Sequence, residues 1–172
     1  TLLLALPLVF LLGCSKQSST TSSSSSTPET TEVKTSESST TEKKSELKTA
    51  TFVNDSQPGV VSTLTYTVDG DNVVKQTAHN VADPEVLNNT ADAVKSVLEE
   101  TYKGYKGLKG VTFSIEVKDG KVVQDLEIDL SVASIDELRK ALPEEYSGVG
   151  KNVSFKASKK MLTEHGYKEQ TN

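Results

Sequence analysis

The chain has one cysteine, Cys14, and no tryptophan, and each shortage excludes some classes of protein. Because one cysteine cannot form an intramolecular disulfide, the fold must be held by a packed core rather than by disulfide bridges. The lack of tryptophan and the few aromatic residues offer no obvious surface on which sugar rings could stack. The net charge of −5, without a basic stripe, argues against a nucleic acid as the partner.

Motifs that carry catalysis or bind phosphate are also missing. The sequence contains no HExxH, CxxC, GxSxG or phosphate-binding loop. Its two histidines, His79 and His165, lie far apart in the sequence, and ordinary surface histidines are the simpler interpretation. Gly104, Gly107 and Gly110 lie near lysines, but their spacing indicates a helix-to-strand connection. We therefore expect no cofactor and no enzymatic activity.

An uncharged apolar run covers residues 2–13 and ends at Cys14. A transmembrane helix needs roughly 20 apolar residues, so this run is too short to span a bilayer in that way. Its length is typical of the hydrophobic region of a secretory signal. Because Thr1 is neither a methionine nor part of a basic segment, we expect a few residues to precede it.

The segment Leu11, Leu12, Gly13 and Cys14 resembles the lipobox of bacterial lipoproteins. In that class a peptidase cuts before the cysteine, whose thiol carries a diacylglyceryl group. The resemblance implies that Cys14 is the lipid-attachment site and that the protein is held on the extracellular side of the cell membrane. The alternatives are a buried free thiol and a plain signal peptide followed by a chance cysteine. Two acyl chains anchor a protein stably, whereas one binds only marginally.

Serine and threonine dominate residues 15–45, with scattered lysine and glutamate. Almost no apolar side chain is present to offset the entropic cost of ordering, so this stretch is predicted to be a disordered spacer. The predicted organisation is a signal segment at 1–13, the lipidated cysteine with its tether at 14–57, and one folded domain at 58–172. Such a tether is typical of a surface lipoprotein of a Gram-positive bacterium.

The first folded pattern is a hairpin followed by a helix. Residues 63–68 alternate polar and apolar side chains, which predicts a half-buried strand. A turn at residues 69–72 leads into a return strand toward Val81. Asp83 and Pro84 favour a helix start, and an apolar stripe at helical spacing then runs to Tyr102.

The same plan repeats in the second half. Alternating apolar residues predict strands at 111–117 and 126–132 around an Asp-Gly turn. Ser134 and Glu137 form a capping box, and Pro143 stops the helix. Chance similarity between two alternating hairpins is the alternative to a true repeat.

A last segment is predicted to close the domain. It holds a short strand at 152–156 and a helix capped by Ser158 and ended by Gly166. An extra strand near residues 50–54 is also compatible with the pattern. The fold class is therefore α+β, an antiparallel sheet built from two ββα units plus a short C-terminal helix.

One acidic stripe is the best candidate for a site in the domain. Asp125, Glu127 and Asp129 alternate along one strand and project from one face, and Glu116 belongs to the partner strand. Such carboxylates could bind Ca²⁺ or a cationic group. Successive side chains on a strand face are about 6.5–7 Å apart, which is too far for compact coordination, so a solvated face is the alternative.

Five segments together carry a family resemblance: residues 63–66, 74–77, 105–111, 118–123 and 165–169. They resemble the YehR-like bacterial lipoproteins, a family with a domain of unknown function. The resemblance covers about Ala50 to Glu169 and implies an α+β fold with an antiparallel sheet. It implies no activity, because the shared motifs are turns, strand faces and helix ends.

These observations predict a membrane-anchored surface lipoprotein with a non-enzymatic binding or interaction module. Its partner would be a protein or a small molecule of the envelope or the extracellular space, in addition to the membrane reached through Cys14. The alternatives are a carrier of a small ligand or lipid and an enzyme that acts on the envelope.

Overall fold

A computed structural model describes residues 46–171 of the chain, so Cys14 and the spacer up to residue 45 lie outside the described part. Six strands form one antiparallel sheet in the order β4-β5-β3-β2-β1-β6. No helix within residues 46–171 has the length and apolar character needed to cross a membrane. The strands are β1 (Lys48–Asn54), β2 (Val60–Asp69), β3 (Asn72–Ala82), β4 (Val111–Lys118), β5 (Lys121–Asp129) and β6 (Lys168–Gln170). The helices are α1 (Ala91–Thr101), α2 (Ile135–Ala141), α3 (Pro143–Tyr146) and α4 (Phe155–Glu164), with a 3₁₀ turn at Lys103–Tyr105.

Side chains alternate between the two faces of the sheet. On β2, Leu64 and Tyr66 are fully buried, whereas Thr63 and Thr65, which alternate with them, are only partly covered. The buried set forms one apolar core with residues of the helices, such as Leu98 of α1. The sheet thus has a covered face under the helices and a second face, here called the open face, toward solvent.

The two predicted ββα units are both present. The hairpin β2–β3 precedes α1, the hairpin β4–β5 precedes α2, and the pairing of β3 with β5 joins them into one sheet. The hydroxyl of Ser134 accepts a hydrogen bond from the backbone N–H of Glu137 (3.4 Å), which is the serine half of the predicted capping box. The α+β class is confirmed.

Strand β1 corrects the predicted start of the folded domain. It lies within the 14–57 range assigned to the tether, yet it pairs along its whole length with β2. Phe52 is fully buried, and Asn54 is nearly so. The sheet therefore begins at Lys48 rather than after residue 57. Threonines separate the few apolar residues of this strand, so its sequence pattern is weak.

Helix α1 begins later than the sequence predicted. Asp83 does cap a turn, since its carboxylate accepts a backbone hydrogen bond from Glu85 (3.1 Å). Asn88 then adopts a left-handed conformation (φ 50°), which ends that turn. The hydroxyl of Thr90 caps the actual helix, whose first residue is Ala91.

The C-terminal segment differs in its first half. No strand forms at residues 152–156; the only pairing there is an isolated bridge between Asn72 and Ser154. Ser154, not Ser158, caps α4, and the buried Ser158 hydroxyl donates to the Ser154 carbonyl (2.8 Å). Gly166 follows the helix with a φ of 85°, as predicted, and β6 then adds to β1.

Candidate functional site

The antiparallel register arranges the open face in rows that run across the strands. Each row places one residue of each neighbouring strand side by side. The central row reads Val53, Thr63, His79, Asp125 and Ser114, and the next one toward the chain entry reads Thr51, Thr65, Thr77, Glu127 and Thr112. Most of this face therefore offers hydroxyl and charged groups.

Two carboxylates of the predicted acidic stripe meet basic residues of β3. The Nδ1 atom of His79 lies 2.6 Å from Oδ1 of Asp125, and Nζ of Lys75 lies 2.9 Å from Oε2 of Glu127. All four side chains are about half exposed. The stripe is therefore a set of cross-strand pairs, and not a row of free acids.

The other acids of the stripe also have local partners. Asp129 accepts hydrogen bonds from the Ser131 hydroxyl (2.5 Å) and backbone N–H (2.9 Å), and both lower the pKa of its carboxyl. Glu116 lies 2.8 Å from the ammonium of Lys118. Within residues 46–171, no group of three histidine, cysteine or acidic side chains is arranged to hold a metal ion. The solvated face is thus the interpretation that the structure favours.

The two histidines lie in different elements, as the sequence indicated. His79 stands on the open face of β3. His165 ends α4, where its Nδ1 lies 2.8 Å from the Met161 carbonyl oxygen and its own carbonyl accepts a hydrogen bond from the Asn54 amide. The structure gives His165 a role in helix termination.

One apolar region interrupts the polar open face. Val61, Val81 and Val123 form a single row across β2, β3 and β5, and Val86 reaches the same region from the segment after β3. We call these four residues the valine patch. Val61 is 43% exposed and Val86 is 52% exposed. Together with Pro58 and others, Val61, Val81 and Val86 line a groove of about 270 Å³.

Charged residues around the valine patch are mostly paired with one another. Lys121 lies 3.6 Å from Asp83 at one side, and Glu116 contacts Lys118 at another. Asp55 also lines the groove and forms no ion pair among the described residues. The patch is therefore an apolar centre with a polar rim of mixed charge.

The valine patch lies far from the point where the chain enters the sheet. Strand β1 starts at Lys48 and ends at Asn54, and Asn54 pairs with Ser62, the neighbour of Val61. A seven-residue strand is about 20 Å long. The patch is therefore at the end of the sheet opposite to Lys48, the residue at which β1 begins.

A second unusual feature is buried under the helices. All five tyrosines of the chain are at most 4% exposed. The Tyr105 hydroxyl donates a hydrogen bond to the buried carboxylate of Glu145 and lies 3.4 Å from the Tyr146 hydroxyl. The Tyr167 hydroxyl lies 2.9 Å from that of Ser62. The core of this domain is therefore unusually rich in polar atoms.

Burial dominates the ionisation of this cluster. It raises the pKa of Glu145, partly opposed by the hydrogen bond from Tyr105. Burial also raises the pKa of Tyr66, Tyr102 and Tyr146 well above the usual tyrosine range. These phenols are neutral hydrogen-bonding groups at physiological pH. The cluster could not be predicted from the sequence, since its members come from four separate segments: β2, the residues just after α1, α3 and the residue before β6.

The chain matches one family description, "Protein of unknown function (DUF1307)", over residues 48–168. It is similar to the uncharacterized lipoprotein Lin0239 of Listeria innocua, with 40% identity over 116 residues. It is also 40% identical over 117 residues to the uncharacterized lipoprotein Lmo0207 of Listeria monocytogenes. Each match covers 66% of this chain and 76% of the relative.

Two solved structures share the fold. The NMR structure of Escherichia coli YehR aligns with a TM-score of 0.58 and 19% identity, over 73% of this chain and 92% of YehR. An NMR structure of a protein from Streptococcus pneumoniae TIGR4 aligns with a TM-score of 0.50 and 16% identity, over 87% and 100%. The resemblance to YehR-like proteins expected from the sequence is confirmed, and at these identities the structural matches speak for the fold alone.

Proposed function

The chain belongs to the DUF1307 family of proteins of unknown function, and on that basis we propose that it is a membrane-anchored lipoprotein with a binding role in the cell envelope. Two relatives are named lipoproteins, and here Cys14 follows an apolar run with a lipobox-like ending. A diacylglyceryl group on Cys14 would hold the chain on the membrane. The Ser/Thr-rich residues 15–45 would then separate the domain from the bilayer.

The observation that carries the binding role is the valine patch. Exposed apolar side chains that lie together on a polar surface are typical of protein interaction sites. The neighbouring groove of about 270 Å³ offers a place for an apolar side chain of the partner. Because the patch is at the end of the sheet opposite to the chain entry, a tethered domain would present it away from the spacer.

The character of the rim favours a partner protein over a charged polymer. An apolar centre within a polar periphery is the usual anatomy of a protein–protein interface. The pairs Asp83–Lys121 and Glu116–Lys118 offset their own charges, and the single carboxylate of Asp55 is too small a charge to attract a polycation or exclude a protein. We therefore assign the patch to a protein of the envelope or the extracellular space.

The arrangement of the central row supports a non-enzymatic role. His79, Asp125 and Ser114 are the residue types of a catalytic triad, yet Asp125 stands between the other two in the row. The imidazole contacts the carboxylate, so Ser114 lies on the far side of Asp125 from His79. A nucleophile must instead contact the imidazole that serves as its base.

Photo-crosslinking on living cells of the source organism tests the binding role. A photoreactive residue replaces Val61 or Val86 in the full lipidated chain, and Val97 of α1, equally exposed at 48%, serves as the matched control. We expect one discrete crosslinked protein from positions 61 and 86 and none from position 97. Val123→Lys should abolish this product. Equal crosslinking from all three positions, or none from the patch, would contradict the proposal.

The anchor is tested separately by cell fractionation. Cys14→Ala removes the thiol that would carry the lipid, so the variant should leave the membrane fraction. Ser15→Ala is the control and should remain with the membrane. Retention of Cys14→Ala in the membrane would show that something other than the lipid holds the chain there.

A further inference from the structure

The covered face of the central strand β3 carries polar groups that the fold leaves without partners. Gln76 is 1% exposed, and neither its amide nitrogen nor its amide oxygen has a hydrogen-bond partner among the described residues. Tyr66 stands beside it on β2, fully buried, and its hydroxyl is likewise unpartnered in this part of the chain. Three unsatisfied polar atoms therefore lie on two adjacent strands.

Such an arrangement is costly for a core that only has to be stable. Each buried donor or acceptor without a partner has lost its hydrogen bonds to water and gained none in return, which costs stability. A leucine at position 76 would occupy a similar space without that cost. Unmet buried polar groups call for a specific explanation, and a bound molecule is one of the few that fit.

The neighbours of Gln76 define the chemistry of the region. The next inward residue of β3 is Ala78, whose small side chain offers no hydrogen-bonding group. Asn80 follows, and its amide donates to Gln124 (3.0 Å) while its own oxygen is unpartnered within residues 46–171. Ile128 of β5 faces Gln76 from the other side. The groups are amides and phenols, none of which carries a charge.

We propose that Gln76 and Tyr66 line a buried binding site for a small neutral molecule that offers both a hydrogen-bond donor and an acceptor. A primary amide presents a donor and an acceptor side by side, so its natural complement is another carboxamide or an undissociated carboxylic acid. An anion would be disfavoured, because burial without a cationic partner is expensive. The Tyr66 hydroxyl would then give or accept one further hydrogen bond.

NMR of the full lipidated chain in lipid nanodiscs tests this site with acetamide as the probe. We expect saturable shifts of the Gln76 side-chain amide signals, while those of the exposed Gln170 stay unchanged. In Gln76→Leu, acetamide should no longer cause saturable shifts in the signals of other core residues. In Gln170→Leu, those shifts should remain. Tyr66→Phe should weaken binding about fivefold, the effect of one net hydrogen bond.

Native mass spectrometry of the chain purified from its own cells provides a measurement that needs no variant. A retained small molecule that is absent from Gln76→Leu supports the site. If acetamide causes no shifts and the measured mass is that of the lipidated chain alone, the proposal is overturned. Ordered water would then be the partner of these polar groups. Failure of the valine-patch crosslinking would leave this test unaffected, because the two sites lie on opposite faces of the sheet.

Discussion

Tyr105 donates its phenolic hydrogen to the carboxylate of Glu145, and both side chains are almost completely buried. Among the described residues, no lysine or arginine forms an ion pair with Glu145. Burial therefore dominates, and it raises the pKa of this carboxyl above the ordinary glutamate range. The carboxyl is a destabilising charge whenever it is ionised in the folded protein.

Glu145→Gln should stabilise the domain above neutral pH. The folded pKa exceeds the unfolded one, so the folded state holds the proton more tightly and stability falls as pH rises through the folded value. Each unit of that difference removes about 1.4 kcal/mol above both pKa values. Glutamine cannot ionise and still accepts the hydrogen bond from Tyr105. Urea unfolding across a pH series should show an advantage for the variant that disappears as the pH falls below the unfolded value.

Glu144→Gln is the matched control for this experiment. Glu144 is the preceding residue of α3 and is exposed, and its charge is a smaller cause of the raised pKa of Glu145 than burial is. Its replacement should therefore change the pH profile of stability much less than Glu145→Gln does, and in the same direction. A Glu145→Gln variant that is less stable than the parent at every pH would mean that the fold satisfies the ionised carboxylate.

Gly110→Ala should destabilise the fold far more than Gly120→Ala, although both glycines have the same left-handed conformation (φ 75° and 76°). A Cβ at position 110 would lie 2.7 Å from the backbone nitrogen of Ala133, whereas nothing lies within 4 Å at position 120. The left-handed conformation alone costs an alanine about 1–2 kcal/mol. Overpacking adds about 1–3 kcal/mol at position 110 only. Chemical unfolding of both variants measures the difference, and equal losses would contradict the close approach.

The hairpins could be predicted because their evidence is local. Alternating side chains on β2 and β5 reflect directly that one face of the sheet is covered and the other is open. The start of α1 could not be predicted in this way. Asp83 and Thr90 are both competent caps, and both do cap a turn. The left-handed Asn88 between them decides which turn continues, and nothing in the local pattern reveals that conformation.

The candidate sites depend on contacts between distant segments. The two-residue alternation of side chains along a strand predicted that Asp125 and Glu127 share a face. Their basic partners lie on β3, and the register between β5 and β3 determines which residues those are. The valine patch combines three strands with the segment that follows β3. Gln76 is a polar residue at an inward position of a strand, which is the only sequence signal of the buried site. Knowing which strands are neighbours was necessary for every one of these features.

Arg139→Lys should loosen the segment that follows α3. The guanidinium donates to the backbone carbonyls of Tyr146 (3.4 Å) and Val149 (2.5 Å) and contacts Asp136 (2.6 Å). A lysine ammonium lacks the fork geometry needed to bind all three groups at once. The loss of two backbone hydrogen bonds should cost about 1–2 kcal/mol and speed amide exchange at residues 146–150. Lys140→Arg, an exposed exchange on the same helix, should change neither quantity.

Asp71→Asn should weaken the attachment of α4 to the sheet, and the effect should depend on pH. The Asp71 carboxylate accepts hydrogen bonds from the backbone N–H of Lys156 and the hydroxyl of Ser154, both at 2.7 Å. These bonds lower the pKa of Asp71, with the backbone N–H as the larger cause. The stability they provide is therefore present above the unfolded pKa and is lost as pH falls through the folded one.

At neutral pH, Asp71→Asn should lower the melting temperature and speed amide exchange in the first turn of α4. Both differences from the parent should shrink toward acid pH, where the parent carboxyl is protonated as well. Asp69→Asn provides the control, because Asp69 lies in the same hairpin and is exposed. If Asp71→Asn matched Asp69→Asn at neutral pH, the two side-chain contacts would not hold α4. Its position would then depend on the backbone hydrogen bond between Phe155 and Asp71 and on the apolar contacts of Met161 and Leu162.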